Sequence, residues 1–265
     1  MTNEFMKYIL LCCLIIIESN KLLAGNGLIV NLRYQDDKVK NLSVFENANS
    51  SIDIETYIIN NDKSIEEHST AISSIIEKYR KETDSLSVVI ISDRVSSYVG
   101  LDLLSTYKSI SGLIAISGAF NDGDKFLYSE ISFKKNQEMI ESLSLNRSKE
   151  QYLEKALKLI LDKKNGKRIK IRKNTDKNIS DLYLFLESSY GQSLLNFSLE
   201  EHLSKIESGI YPFFGPKEDQ KMVEDVDYMN LSYIGNKYNV KYTYPSVWDE
   251  NNPLLKEIVF DLLKK

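Results

Sequence analysis

Two histidines, His68 and His202, supply every imidazole of this chain, and its two cysteines, Cys12 and Cys13, are adjacent. General-base work, zinc ligation and thiol chemistry all draw on these residue types. Zinc generally takes three or four N, S or O ligands, so two histidines far apart in sequence argue against it. His68 lies on the apolar stripe of a predicted helix, where a satisfied core imidazole is expected. His202 follows Glu200 and Glu201 in a polar helical turn, where an exposed ring is expected. The carboxylate pairs Asp36-Asp37, Glu66-Glu67 and Glu200-Glu201 are sequence neighbours. Adjacent residues on a helix do not face each other, so these read as solvated surface and not as an acid–base pair. Asn121-Asp122-Gly123-Asp124 begins like a calcium loop but lacks the later acidic ligands and the closing Glu, so a turn is expected. No Gly-rich phosphate loop is present. The sequence calls for no metal and no cofactor.

Residues 163–173 hold seven Lys or Arg. No aromatic residue interleaves them, so base stacking has no platform, and a solvated loop or edge strand is expected there. The formal net charge is −4, too mild for a nucleic-acid footprint. With 42% hydrophobic and 10% aromatic residues, the 265-residue chain can build one packed core.

The N-terminus reads as a leader. A short polar start precedes the apolar run Tyr8–Ile17, and Leu22-Leu23-Ala24-Gly25 ends in small residues. An apolar run of about 7–15 residues followed by a small-residue site describes a secretory signal peptide. Residues 1–24 are therefore expected to be a signal peptide, with Met6 as an alternative start and a buried strand as the alternative reading of 8–17. The expected mature chain, 25–265, is a single domain without cysteine, secreted or periplasmic, with no stable membrane span once the leader is cut.

Behind the leader, short apolar strands alternate with amphipathic helices, the pattern of βαβ units and a mainly parallel sheet. Strands are predicted at 27–34, 86–91, 112–117, 210–214 and 240–244, with a further one at 39–45. A capping box, Ser64 with Glu67, opens a helix whose apolar stripe is Ile65, His68, Ile72, Ile75, Ile76 and Tyr79. Residues 120–205 are charged and mostly helical, including a helix at 149–163 with Tyr152, Leu153, Ala156, Leu157, Ile160 and Leu161 on one side. Pro253 fits the first position of a terminal helix.

This order resembles an α/β hydrolase over the segments 64–117, 206–219 and 238–264. VVIISDRVSSYVGLDLL is similar to its strand–elbow–helix segment, GLIAISGAF to the next strand, and IESGIYPFFGPKEDQ to the strand and loop that present the acid. The resemblance implies an α/β fold, a mainly parallel sheet flanked by helices, with 120–205 as a helical cap insertion. Its elbow consensus is G-x-S-x-G, and the equivalent here is Ser92-Asp93-Arg94-Val95-Ser96. Serines replace the two glycines, and Arg94 takes the nucleophile position. A guanidinium is always protonated and cannot attack a carbonyl. Asp219 matches the acid, but the loop expected to supply the base, Pro245-Ser246-Val247-Trp248-Asp249, has no histidine.

The implied protein is catalytically degenerate. It would bind a small molecule or a protein partner in the crevice at the strand ends, lined by Asp93, Arg94, Asp219, Trp248 and Asp249. The alternative is a noncanonical serine esterase, thioesterase or peptidase. A register slip would then bring Ser92 or Ser96 to the tip, with Asp219 and a substitute for the imidazole. A filled crevice would instead mean a plain structural protein.

Overall fold

The computed structural model describes residues 26–35, 42, 45, 51–83, 85–117, 120–140, 146–171, 175–213, 233–240 and 252–264. The leader, Asp219, Trp248 and Asp249 lie outside the described residues.

Five strands form one parallel sheet in the order β2-β1-β3-β4-β5. They are β1 (Asn26–Tyr34), β2 (Ile52–Ile59), β3 (Leu86–Asp93), β4 (Gly112–Ile116) and β5 (Gly209–Phe213). Helix α1 (Ile65–Glu82) connects β2 to β3, and α2 (Ser97–Thr106) connects β3 to β4. Between β4 and β5 come α3 (Gly123–Ile140), α4 (Asn146–Lys164), α5 (Lys177–Glu187), α6 (Ser189–Leu195) and α7 (Leu199–Leu203). A helical turn at 233–237 and α8 (Pro253–Leu263) complete the described chain.

The sheet is covered on both faces, which is why its central strands read as nearly continuous apolar runs. Alternation along each strand sorts the side chains. Leu28, Val30, Val88, Ile90, Leu113 and Ala115 pack with α1, α2 and the cap helices. Ile29, Val89, Ile91, Ile114 and Ile116 pack with Leu255, Val259 and Leu262 of α8. Burying one such aliphatic side chain contributes about 1.5–3 kcal/mol, so the four fully buried residues Val88–Ile91 alone make β3 the spine of the fold.

The helix starts follow the local chemistry expected of them. The Glu67 amide donates to Ser64 Oγ at 3.2 Å, and the Ser64 amide donates to Glu67 Oε2 at 2.7 Å. The Leu254 amide donates to Asn252 Oδ1 at 3.0 Å, with Pro253 beginning α8. Gly166 ends α4 with φ 70°, the left-handed stop that glycine adopts without a Cβ penalty.

Three expectations need correction. The strand expected at 39–45 lies largely outside the described residues, but its last member, Phe45, is helical, and its amide donates to the Leu42 carbonyl at 3.0 Å. Helix α4 packs through Ala156, Leu159 and Ile160, leaving Leu157 and Leu161 37% and 44% exposed. α4 packs between α3 and α5, and on the α5 side Lys163 lies over the Tyr183 ring and pairs with Glu187. His202 is not an exposed ring, and its contacts are given below.

Lys163 and Lys164 of the basic run belong to the last turn of α4, Lys167, Arg168 and Lys170 follow in the loop expected there, and Arg172 and Lys173 lie outside the described residues. Lys164 pairs with Asp124 at 2.6 Å and Lys167 with Asp162 at 2.7 Å.

Candidate functional site

β3 runs straight into a sharp turn. Asp93 is still extended, Arg94 has φ 42°, residues Arg94–Ser96 form one 3₁₀ turn, and α2 follows at once. A left-handed backbone at an arginine costs about 1–2 kcal/mol and persists only where the surroundings enforce it. The enforcing contacts are visible. The Asp93 amide donates to Ser96 Oγ at 2.8 Å. Ser96 Oγ also lies 2.6 Å from the Asp93 carbonyl and 3.1 Å from the Leu32 carbonyl, acceptors for its single proton. Ser92 Oγ donates to Ser97 Oγ at 3.0 Å beneath the turn. Close packing holds α2 down on the sheet: a Cβ at Gly100 would come within 2.7 Å of Leu113 Cδ1.

The structure thus brings four of the sequence-derived residues, Ser92, Asp93, Arg94 and Ser96, to one strand-to-helix turn, with Arg94 at its apex. Ser92 and Ser96 are 1% and 0% exposed, and both hydroxyls are engaged in the hydrogen bonds that shape the turn. Neither is presented at the tip. Asp93 and Arg94 are half-buried.

Two neighbours of the turn escaped the sequence reading. Asp93 is paired in the ladder with Ile116, so Ser117, the residue just after β4, leaves the sheet at the same level as the turn. Ser117 also has a left-handed backbone, φ 47°. Its amide donates to the Phe213 carbonyl at 2.8 Å, and its buried Oγ makes no hydrogen bond among the described residues. Nothing in the apolar string around Ser117 announces that conformation.

The second neighbour is Tyr190 of the cap. It is fully buried, and its hydroxyl donates to the carbonyl of Val95, the residue after the apex, at 2.8 Å. Its amide donates to the Asn61 carbonyl at 3.3 Å, and Tyr34 donates to the Asn61 side chain. The Tyr190 ring meets Tyr34 at 5.9 Å and His68 at 5.8 Å between centroids.

Both histidines have structural work. His68 is buried, with Nε2 at 3.0 Å from the Asn60 carbonyl and Nδ1 at 3.1 Å from the Tyr57 hydroxyl. Burial pushes its pKa down, so the ring is neutral: Nε2–H donates to Asn60 and Nδ1 accepts from Tyr57. The expected core histidine is found. His202 is only 16% exposed at its side chain. It stacks on Phe197 at 3.9 Å and contacts Asp102 of α2 through Nε2 at 3.3 Å. A polar sequence context placed it on the surface; the ring stack draws it in.

Among the described residues, no group of three or more His, Cys, Asp or Glu is arranged to hold a metal ion. No described helix is long and apolar enough to cross a membrane.

The fold has known counterparts. A carboxylesterase structure from the thaumarchaeon Nitrososphaera gargenis aligns over 91% of this chain and 92% of that one, at 10% identity and a TM-score of 0.50. Est1E from Butyrivibrio proteoclasticus aligns over 91% of this chain and 87% of that one, at 11% identity and a TM-score of 0.48. No family model and no curated protein matches the sequence. At such identity the likeness is one of fold.

Proposed function

We propose that this α/β-hydrolase-like chain is catalytically degenerate and binds a small molecule or a protein partner in the crevice at its elbow. One observation carries the reading: Arg94 occupies the strained apex, φ 42°, where that fold presents its nucleophile. A permanent cation there cannot begin acyl transfer, but it suits a ligand carrying a carboxylate or other oxyanion, which a guanidinium can grip in bidentate fashion. Ser117, whose hydroxyl has no partner among the described residues, is a second donor for such a ligand at the neighbouring strand end. In this reading Asp93, Asp219, Trp248 and Asp249 complete the crevice.

The test is reactivity. Purified protein treated with a fluorophosphonate probe is expected to remain unlabelled, and p-nitrophenyl esters are expected to turn over no faster than with heat-denatured protein. Labelling that disappears in Ser92→Ala or Ser96→Ala would establish the serine esterase, thioesterase or peptidase reading instead.

The reading includes export, supported by the apolar run Tyr8–Ile17 and the small residues after it. N-terminal sequencing of protein recovered from outside the cytoplasm is expected to begin at Gly25. A start at Met1 or Met6 would refute cleavage.

A further inference from the structure

The two imidazoles are held in opposite ways. His68 faces one acceptor and one hydroxyl donor, which a neutral ring satisfies. His202 faces two acceptors: the Ser198 carbonyl at 2.8 Å from Nδ1 and the Asp102 carboxylate at 3.3 Å from Nε2. A neutral imidazole has a single N–H, whereas the imidazolium has two. Only the charged ring can donate to both, and this holds whichever nitrogen keeps the proton.

The contact joins two parts of the molecule. Asp102 lies on α2, the helix that leaves the elbow, and His202 lies on α7, at the end of the chain excursion between β4 and β5. The His202 ring stacks on Phe197 with an interplanar angle of 14°. Phe197 in turn meets Tyr98 of α2 edge-on, 4.9 Å between centroids. Asp102 and Tyr98 are one helical turn apart, so the four side chains form a closed clasp. The surrounding charges are accounted for. Asp102 is the acidic group that α2 presents. Glu201 pairs with Lys205 at 2.8 Å, and Glu200 with Lys237 at 2.5 Å. Asp122 of the loop before α3 accepts from the Leu199 amide at 3.1 Å and pairs with Lys125 at 3.0 Å.

We propose that His202 and Asp102 form a proton-operated latch between the cap and the elbow helix, closed while the imidazole is charged and released when it loses its proton. Burial opposes the charged ring, but the hydrogen bonds to Asp102 and Ser198 outweigh it and hold the pKa above its ordinary value. The sign follows by linkage. With the folded value raised, the latch contributes its full stability below the unfolded value and loses it as pH rises through the folded one. Opening therefore belongs to the alkaline side.

Because the chain has two histidines, ring NMR of the full protein labelled at histidine resolves the question, with His68→Gln assigning the pair. One ring is expected to titrate above about 6.5, the unperturbed value, and Asp102→Asn is expected to lower that midpoint by at least about one unit, a tenfold change. Amide exchange of 199–203, corrected for intrinsic base catalysis, is expected to accelerate across the same midpoint, and His202→Gln to abolish the step. A His202 midpoint at or below the unperturbed value overturns the latch, as does a pH-independent exchange rate in the wild type. The wild-type titration decides alone where Asp102→Asn fails to fold.

Discussion

Tyr190→Ala is expected to remove about 3–5 kcal/mol of folding stability, the range for truncating a large buried aromatic. The side chain is fully buried, and its ring packs against Tyr34, His68 and Phe185 at centroid distances of 5.9, 5.8 and 6.4 Å. Its hydroxyl is also the tie between α6 and the elbow, through the Val95 carbonyl. The substitution therefore empties a cavity and cuts the tie together. Tyr190→Phe separates the two effects: it keeps the packing and loses one hydrogen bond, for an expected cost of about 1–2 kcal/mol. Urea unfolding of the three proteins, at unchanged m-value, measures both. An alanine variant within 1 kcal/mol of wild type, roughly the bonding share alone, would show that the ring is not a structural keystone.

Gly123→Ala is expected to cost about 3 kcal/mol or more, because overpacking against a fixed backbone has no cheap relaxation. A Cβ there would sit 1.7 Å from the Leu194 carbonyl oxygen, and the Gly123 amide is itself bound to the Phe197 carbonyl at 3.1 Å. Both partners are main chain, so α3 or the end of α6 must move. Gly166→Ala makes the contrast. No atom of the described residues lies within 4 Å of its Cβ position, and the φ of 70° resists, at about 1–2 kcal/mol. Thermal unfolding of the two variants should rank them in that order. Equal losses would mean that the close approach at Gly123 yields easily.

Much of the fold was legible because local chemistry and burial agree. The Val88–Ile91 run is apolar since both faces of β3 are covered, and the Ser64–Glu67 box and Pro253 mark helix starts by backbone satisfaction alone. β2 carried no such signal. Asp53, Glu55 and Thr56 interrupt it, and it stands at the end of the described sheet, where Asp53, Thr56 and Ile58 stay exposed. The strand-to-helix turn at 92–96 was legible because small residues must flank a tight turn, and Ser92 and Ser96 do. Ser117 and Tyr190 were not. The left-handed backbone of Ser117 is imposed by the sheet and not by its own side chain, and Tyr190 acts on Val95, a partner remote in sequence. The inward turn of His202 likewise rests on Phe197 and on Asp102, which no local window joins to it.

The all-parallel ladder also orders the chain's assembly. Val89 meets Gly112 across some two dozen residues, while Gly112 meets Gly209 across roughly a hundred. Two doublings of loop length add about 1.2 kcal/mol of closure entropy to the second encounter. The sheet therefore has a seam between β4 and β5. β1 with β2 and β3 with β4 pair across some two dozen residues each, whereas β5 joins β4 only after the whole intervening helical excursion.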